Sequence, residues 1–376
     1  MTRERLPHDA LTGCTIVIAA DRRSGDLAAA LERRGAVVHR APALSIVPAT
    51  DDEQLLARSR ELIASPPDIV VVTTGVGLRG WMDAAHESDL QEALSAALAS
   101  AQFIARGPKA HGAIQQAGFS ADWVAGSETS SEVAAHLVSA GVEGRRIAVQ
   151  HHGAGSDGLD ELLTRHGAEV VPLTVYRWGP PPDPEAARRS VLHAASGAVD
   201  AVLFTSAPGT AAWIRVAERT GALEAIRERA EDGRLLLAAV GPITAGALHA
   251  ASLHATIAAR GRLGSLVRCV VDHFAAGTVP SAAIADGRIE VRSGGALIGD
   301  RFVPLSPASS SILSALVGAR GRVLSREELG RDLPRGGRSS HAVEMAVARL
   351  RDSLGSPDTV QTIIKRGYRL AVDEPS

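Results

Sequence analysis

Two sets of residues in this chain have the types and spacing to do chemistry. The first is cationic and lies near the end of the sequence: Arg349 and Arg351 in a helical stretch, then Lys365-Arg366 in a turn. Guanidinium and ammonium groups on a helix followed by a hairpin can fork onto base edges and neutralise the phosphates of a duplex. The second set is made of hydroxyls and small residues at the ends of apolar runs: Thr73-Thr74, Arg106-Gly107, Ser127, His152-Gly153, Thr205-Ser206 and Gly241. Each stands just before a helical pattern, where backbone N–H groups and the positive end of a helix dipole can hold a carboxylate.

The elements that must position the cations are legible. Between Ser339 and Leu354, Val343, Val347, Leu350 and Leu354 fall on one helical face. The opposite face carries His341, Met345, Ala348 and Asp352, with Arg349 beside them, and Gly355 supplies a stop. Val360 to Leu370 then reads as a strand, a Lys-Arg-Gly turn and a second strand. Thr362 lies on the first of these strands.

Upstream, strands alternate with helices, which implies a parallel sheet. Cys14 to Ala20 is followed by a helix to Arg34, a Gly35 stop and a strand to Pro42. Later strands are Asp68 to Thr74, Gln102 to Arg106, a short one at Trp123 to Ala125, and Arg146 to Gln150. The pattern then starts again. The stretch from Arg34 to Pro42 is echoed by His166 to Pro172, Asp68 to Thr74 by Asp200 to Ser206, and Arg106-Gly-Pro108 by Val240-Gly-Pro242. Two copies of one α/β unit are expected, with ligands at the carboxyl ends of the strands and in a cleft between the copies.

A chain of 376 residues, 45% of them hydrophobic, calls for two or three domains. Two cysteines, Cys14 and Cys269, far apart in apolar contexts, argue for a reducing compartment and against metal clusters. With no signal-like leader and no apolar run of spanning length, the expectation is a cytoplasmic protein with no membrane partner. The net charge of −2 is unevenly spread: residues 281 to 376 carry 14 basic against 11 acidic groups, so the end of the chain is its basic part.

The last quarter resembles the OmpR/PhoB type of winged-helix effector domain. The matching pieces are Val303-Pro-Leu-Ser306, Gly321 to Leu329, Val343 through Arg349-Leu-Arg351, and Thr362 through Gly367-Tyr368-Arg369. That likeness implies an α+β domain on double-stranded DNA, with His341, Met345, Arg349, Arg351, Thr362, Lys365 and Arg366 as the contact set. His341 and Ala348 stand where the family often has basic residues, so no operator sequence transfers.

Residues 11 to 278 resemble uroporphyrinogen-III synthase, on the Gly-Ala-Val-Val…Pro segment, the Thr-Thr and Thr-Ser strand ends, Gly-Pro before helices, a crossing segment ending at Tyr176, and Val240-Gly-Pro-Ile-Thr-Ala245. The resemblance implies two flavodoxin-like parallel-sheet lobes joined by crossing strands. One spans 11 to 45 plus 175 to 278 and the other 46 to 172; a linker at 275 to 286 leads to a winged helix at 287 to 376. The family closes hydroxymethylbilane, a linear octacarboxylate, with inversion of its last ring and without cofactor. By that likeness the catalytic or ligand-binding set is Arg22, Thr73, Thr74, Gly107, Ser127, His152, Tyr176, Thr205, Ser206 and Thr244. Several positions depart from the family. Ala20-Asp-Arg-Arg23 replaces a Thr-Arg-Pro turn, Ala110 is the twin of Thr244, and His152 and Asp157 stand where Arg is frequent.

Gly75-Val-Gly-Leu-Arg-Gly80 matches a dinucleotide fingerprint in form, but its twin at Ala207-Pro-Gly209 does not and no acidic partner strand accompanies it. His151-His152 lacks a carboxylate or thiolate cluster, so no metal is expected. The sequence therefore reads as a transcription regulator with a synthase-like module sensing a tetrapyrrole-like or other anionic ligand and acting through DNA affinity or a transcription partner protein. Similar actinobacterial fusions accompany nitrate and nitrite assimilation. The alternative is an active synthase with a DNA-binding tail.

Overall fold

The computed structural model describes residues 9–48, 53–151, 157–277, 279–331, 333 and 339–372. His152 lies outside the described residues. The chain divides into two compact units, Ser45–Gly179 and the remainder, Met1–Leu44 with Pro180–Ser376.

The chain opens with β1 (Thr15–Ile18), α1 (Ser24–Glu32) and β2 (Val37–Arg40). The middle unit contains β3 (Ser45–Pro48), α2 (Glu53–Ala64), β4 (Ile69–Val72), α3 (Gly75–Glu87), α4 (Gln91–Leu98), β5 (Gln102–Ala105) and α5 (Pro108–Gln116). It continues with β6 (Ala121–Val124), α6 (Ser130–Ala140), β7 (Arg146–His151), α7 (Leu159–Arg165), β8 (Glu169–Thr174) and β9 (Tyr176–Gly179). Its sheet is parallel in the order β6-β5-β4-β7-β8, and β3 pairs antiparallel with β9 as the two crossing strands. We call this unit lobe 2.

Lobe 1 combines the opening βαβ with α8 (Pro184–Ser196), β10 (Ala201–Phe204), α9 (Ala207–Arg219), α10 (Leu223–Glu231), β11 (Leu236–Ala239), α11 (Pro242–Ala250), β12 (Thr256–Ile257) and α12 (Leu263–Ala275). Its parallel sheet runs β12-β11-β10-β1-β2. The central strands Ile69-Val-Val-Val72 and Ala201-Val-Leu-Phe204 are buried along their whole length, which explains why they lack polar alternation.

The lobes are copies in their packing as well as their order. The Trp81 indole on α3 donates to Ser59 Oγ on α2 at 2.9 Å, and the Trp213 indole on α9 donates to Ser190 Oγ on α8 at 3.0 Å. Both indoles are fully buried, so each requires an acceptor inside the core. Each serine in turn donates back to its own helix, to Leu55 O and Ala187 O.

The C-terminal α+β domain follows α12. An antiparallel meander of β13 (Ser281–Ile284), β14 (Gly287–Arg292), β15 (Gly295–Ile298) and β16 (Arg301–Pro304) leads into α13 (Pro307–Gly318), α14 (Arg326–Arg331) and α15 (Ser340–Leu354). A hairpin of β17 (Val360–Ile363) and β18 (Gly367–Leu370) closes the winged helix. Strand β13 falls inside the stretch 275–286 expected to link the domains, so the connection itself is the short passage from Ala275 to Ser281. Val343, Val347, Leu350 and Leu354 of α15 are buried against Ile312, Leu313 and Leu316 of α13 in one core, as their spacing requires.

Ser59→Ala or Ser190→Ala leaves a buried indole N–H without an acceptor and should destabilise its unit by ~1–3 kcal/mol in urea unfolding. Trp213→Phe should then cost less in the Ser190→Ala background than in the parent chain, because the orphaned donor is gone.

Candidate functional site

At the carboxyl end of the lobe 2 sheet, the expected hydroxyls are present and engaged. Thr73 is buried and donates to Gln150 O at 2.6 Å. Thr74 caps α3 by accepting from Gly77 N at 3.1 Å, and the fully buried Gln150 amide donates to Thr74 Oγ1 at 3.1 Å. The glycines of the fingerprint-like stretch are explained by this packing. A Cβ at Gly75 would meet Lys109 O at 2.3 Å, and one at Gly77 would meet Gln150 Nε2 at 2.0 Å, so both serve close approach rather than a phosphate cradle.

Ser127 stands before α6, where its amide and that of Gly126 form a small anion-holding turn. Glu132 already occupies it: its carboxylate accepts from Ser127 N at 2.6 Å, Gly126 N at 3.1 Å and the Ser127 hydroxyl. These bonds, the Ser127 hydroxyl first, hold the Glu132 carboxyl below its usual range. Gly107 opens α5 with extended backbone and packs under Glu128. Arg106 beside it is half-buried. Desolvation pulls its pKa down against the opposing charges of Asp157, Tyr176 and Glu128. Tyr176, at the start of β9, is buried in the lobe 2 core with its ring edge-on to Trp178 at 5.4 Å.

The corresponding end of lobe 1 carries several exposed arginines. Arg22 is exposed after β1, Thr205 and Ser206 follow β10, and Ser206 caps α9 by accepting from Gly209 N at 3.3 Å. Thr244 is buried in the first turn of α11, while its neighbour Ile243 is 67% exposed. Arg40 ends β2, and Arg260 and Arg262 follow β12; all three are exposed at this same edge. Neither they nor Arg22 form an ion pair with another described residue, whereas Arg23 is paired with Asp26 at 3.0 Å. Sequence reasoning selected Arg22 and passed over Arg40, Arg260 and Arg262. Their signal was position: each stands at a strand end or within five residues of one.

In the winged helix, Ser339 caps α15 by accepting from Ala342 N, and His341, Glu344, Met345, Ala348, Arg349 and Asp352 face outward. Glu344 is bridged to Arg326 at 2.9 Å, which neutralises one acidic group on this face. Arg351 is turned toward the hairpin. It donates through Nε to Val360 O at 2.8 Å and through Nη2 to Thr362 Oγ1 at 2.9 Å, and it stacks over Tyr368, so Arg351 and Thr362 hold one another. Lys365 takes the left-handed conformation at φ 62° in the wing turn, with Arg366 beside it, both exposed. Ile364 is 82% exposed at the tip and was not anticipated.

These arrangements suit anion holding in lobe 1 and duplex contact in the winged helix. A family model described as uroporphyrinogen-III synthase HemD matches residues 25–268. The chain belongs to this family. A second model, the C-terminal domain of transcriptional regulatory proteins, matches residues 299–370. A mutant uroporphyrinogen III synthase from the extremely thermophilic bacterium Thermus thermophilus superposes with a TM-score of 0.56 at 26% identity, covering 70% of this chain and 99% of that one. A 238-residue stretch is 27% identical to the uncharacterized protein YjjA of Bacillus subtilis, covering 63% of this chain and 87% of the relative. The DNA-binding domain of the response regulator AdeR, solved in complex with an intercistronic region, aligns at 22% identity and a TM-score of 0.21 over 23% of this chain and 95% of its own. Joining a synthase-family module to a regulator-type DNA-binding domain supports a DNA-binding regulator. Among the described residues no helix is long and apolar enough to cross a membrane, and no cluster of three metal-binding side chains occurs.

Helix α14 carries a titratable cap. Ser325 Oγ accepts from Glu328 N, and the Glu328 carboxylate accepts from Ser325 N at 2.8 Å with Arg322 at 3.1 Å. The backbone bond from Ser325, then Arg322, lowers the Glu328 pKa from 4.5 to about 2. Because the folded value lies below the unfolded one, this cap stabilises the helix above about pH 4.5 and is lost as pH falls toward 2. Amide protection across α14, taken relative to the intrinsic exchange rate at each pH, should fall over that window in the parent chain and show no such titration in Glu328→Gln.

Proposed function

We propose that this chain is a transcription regulator whose synthase-family lobes bind a polyanionic, tetrapyrrole-like ligand without turning it over, and whose winged helix reports that binding on DNA. The observation that carries the DNA reading is the outward face of α15, with Arg349 free of any ion pair to a described residue, followed by the exposed Lys365-Arg366 wing. The ligand class rests on four exposed arginines, Arg22, Arg40, Arg260 and Arg262, at the carboxyl edge of lobe 1, where a polycarboxylate gains charge-assisted hydrogen bonds. Coupling then requires only that the ligand favour one of two states of the chain.

Loss of turnover is supported in lobe 2. Its α6 turn is filled by Glu132, and Ala110, the twin of Thr244, offers no hydroxyl. We extend the reading to genes of nitrate and nitrite assimilation. Siroheme of nitrite reductase descends from uroporphyrinogen III, so a ligand of this class would report on cofactor supply. A genome-wide map of bound DNA tests this, and absence of the protein from such genes would sink the extension.

The second reading, an active synthase, is favoured by the presence of Tyr176 and Thr244 at their family positions. Purified protein given enzymatically generated hydroxymethylbilane should yield the type III isomer no faster than the uncatalysed background; rapid formation would overturn the regulator-only reading. Arg349→Ala should weaken duplex binding about tenfold or more if it forks onto a base. Replacing Lys365 and Arg366 by Ala should weaken binding on all sequences and flatten the slope of log K against log salt by about 2. Fluorescence anisotropy across a salt series reads both, and unchanged affinity would reject this docking face.

A further inference from the structure

The amino edge of the lobe 1 sheet holds a joint that the sequence did not reveal. Asp200, at the entry to β10, is partly buried, and its carboxylate accepts from Thr15 N at 2.7 Å on β1. The same carboxylate accepts from Ser293 N at 2.8 Å and from the Ser293 hydroxyl, both in the β14–β15 turn of the winged-helix domain. The preceding residue, Arg292, is 3% exposed and reaches the other way, donating to Thr12 O at 2.7 Å and Ala10 O at 3.0 Å. Gly294 N donates to Gly13 O at 3.0 Å, and a Cβ at Gly294 would stand 2.9 Å from that oxygen. The Phe302 ring lies so close to Gly13 that any side chain there would overlap it.

The twin in lobe 2 shows what the joint replaces. Asp68 accepts from Arg146 N at 2.8 Å, as Asp200 does from Thr15 N, but its second oxygen meets only the half-exposed Arg145 at 3.3 Å among the described side chains. In lobe 1 the effector turn takes the place of that arginine and of solvent. Desolvation pushes the Asp200 carboxyl up, opposed by the bonds from Ser293 and Thr15 and the charge of Arg292. A carboxylate at such a position is costly unless its partners are held in place.

We propose that the DNA-binding domain does not swing on a linker but is seated on lobe 1 as one rigid body, its Arg292-Ser293-Gly294 turn plugged into a socket formed by Asp200, Thr15 and the carbonyls of Ala10, Thr12 and Gly13. The two strands that form the socket, β1 and β10, end at Ile18 and Phe204, about 10 to 13 Å away at strand rise, shortly before Arg22 and Thr205-Ser206. A change at the ligand edge therefore has a stiff path to the effector. The functional weight of the joint rests on the DNA-binding reading above, but the joint itself does not.

The test is amide hydrogen exchange on the full chain without ligand or DNA. Thr15, Ser293 and Gly294 should be protected to the level of neighbouring core amides such as Val17 and Ile289. Ser293→Ala should lower that protection several-fold at these positions alone. Gly294→Val should lower it at least a hundredfold, and calorimetry should then resolve a separate melting transition for the winged helix. Retained binding of Gly294→Val to a 30-base-pair duplex at low salt shows that the domain is still folded; if it does not fold, the Ser293→Ala measurement decides. Thr15, Ser293 and Gly294 exchanging in the parent chain as fast as the exposed turn at Gly118 would overturn the joint. Failure of the parent chain to bind duplex, with these amides protected, would instead remove the DNA reading and leave the joint standing.

Discussion

A parallel sheet has two chemically different ends, and the amino edge sets the plan of this molecule. Amides entering a parallel strand have no ladder partner and need an acceptor if they are to be buried. Both lobes supply it with an aspartate one residue before the central strand: Asp68 for Arg146 N, Asp200 for Thr15 N. The carboxyl ends carry the opposite need, since the helices that follow expose amides and a positive dipole end. On the function proposed above, ligand chemistry falls at the carboxyl edge of the lobe 1 sheet, while the winged-helix turn meets its amino edge.

The two lobes share one strand order, but lobe 1 is assembled from both ends of the family module. In lobe 2, α6 runs on into β7 at Arg146. In lobe 1 the equivalent strand is β1, contributed from the start of the chain, so the segment leaving α12 has no strand of that sheet left to form. It leaves beside the amino end of β1 and enters β13 within six residues. The meander is thus delivered to the edge where the partly buried Asp200 has an oxygen to spare for Ser293 N. A loop of this length restricts where the domain can sit, and the Asp200, Arg292 and Gly294 contacts select one seat among those few.

Much of the fold was legible because it is local or repeated. The echo of Asp68 to Thr74 in Asp200 to Ser206 predicted twin central strands, and the face of α15 followed from Val343, Val347, Leu350 and Leu354. The twin Trp–Ser pairs were present at nearly equal spacing, 22 and 23 residues, yet each serine reads in isolation as a helix-surface residue. The joint was illegible for a plainer reason: Asp200 and Ser293 are 93 residues apart and belong to different domains. In the candidate site, hydroxyls could be located at strand ends, but whether they were available could not. That depended on Gln150 and Glu132, which reach back from later elements to Thr74 and Ser127. Arg351 shows the same limit, since its place on the helix does not reveal that Val360 O and Thr362 already occupy its fork.

The winged helix itself explains how a reader with few base-specific donors can still act. On α15 the outward groups include a histidine, a methionine, an alanine, one arginine with no ion pair to a described residue and two carboxylates, of which Glu344 is neutralised by Arg326. On this helix Arg349 offers the two-pronged donor that distinguishes guanine, since Arg351 is engaged by Val360 and Thr362. The wing presents Ile364 at its tip, followed by Lys365 and Arg366. An apolar tip beside two cations suits contact with a groove wall while the charges meet the flanking phosphates, a mode that reads groove width and deformability more than base edges. Recognition of that kind depends on holding helix and wing at a fixed angle, which is the work of Arg351 bridging α15 to β17 and of Leu324 pairing with Tyr368.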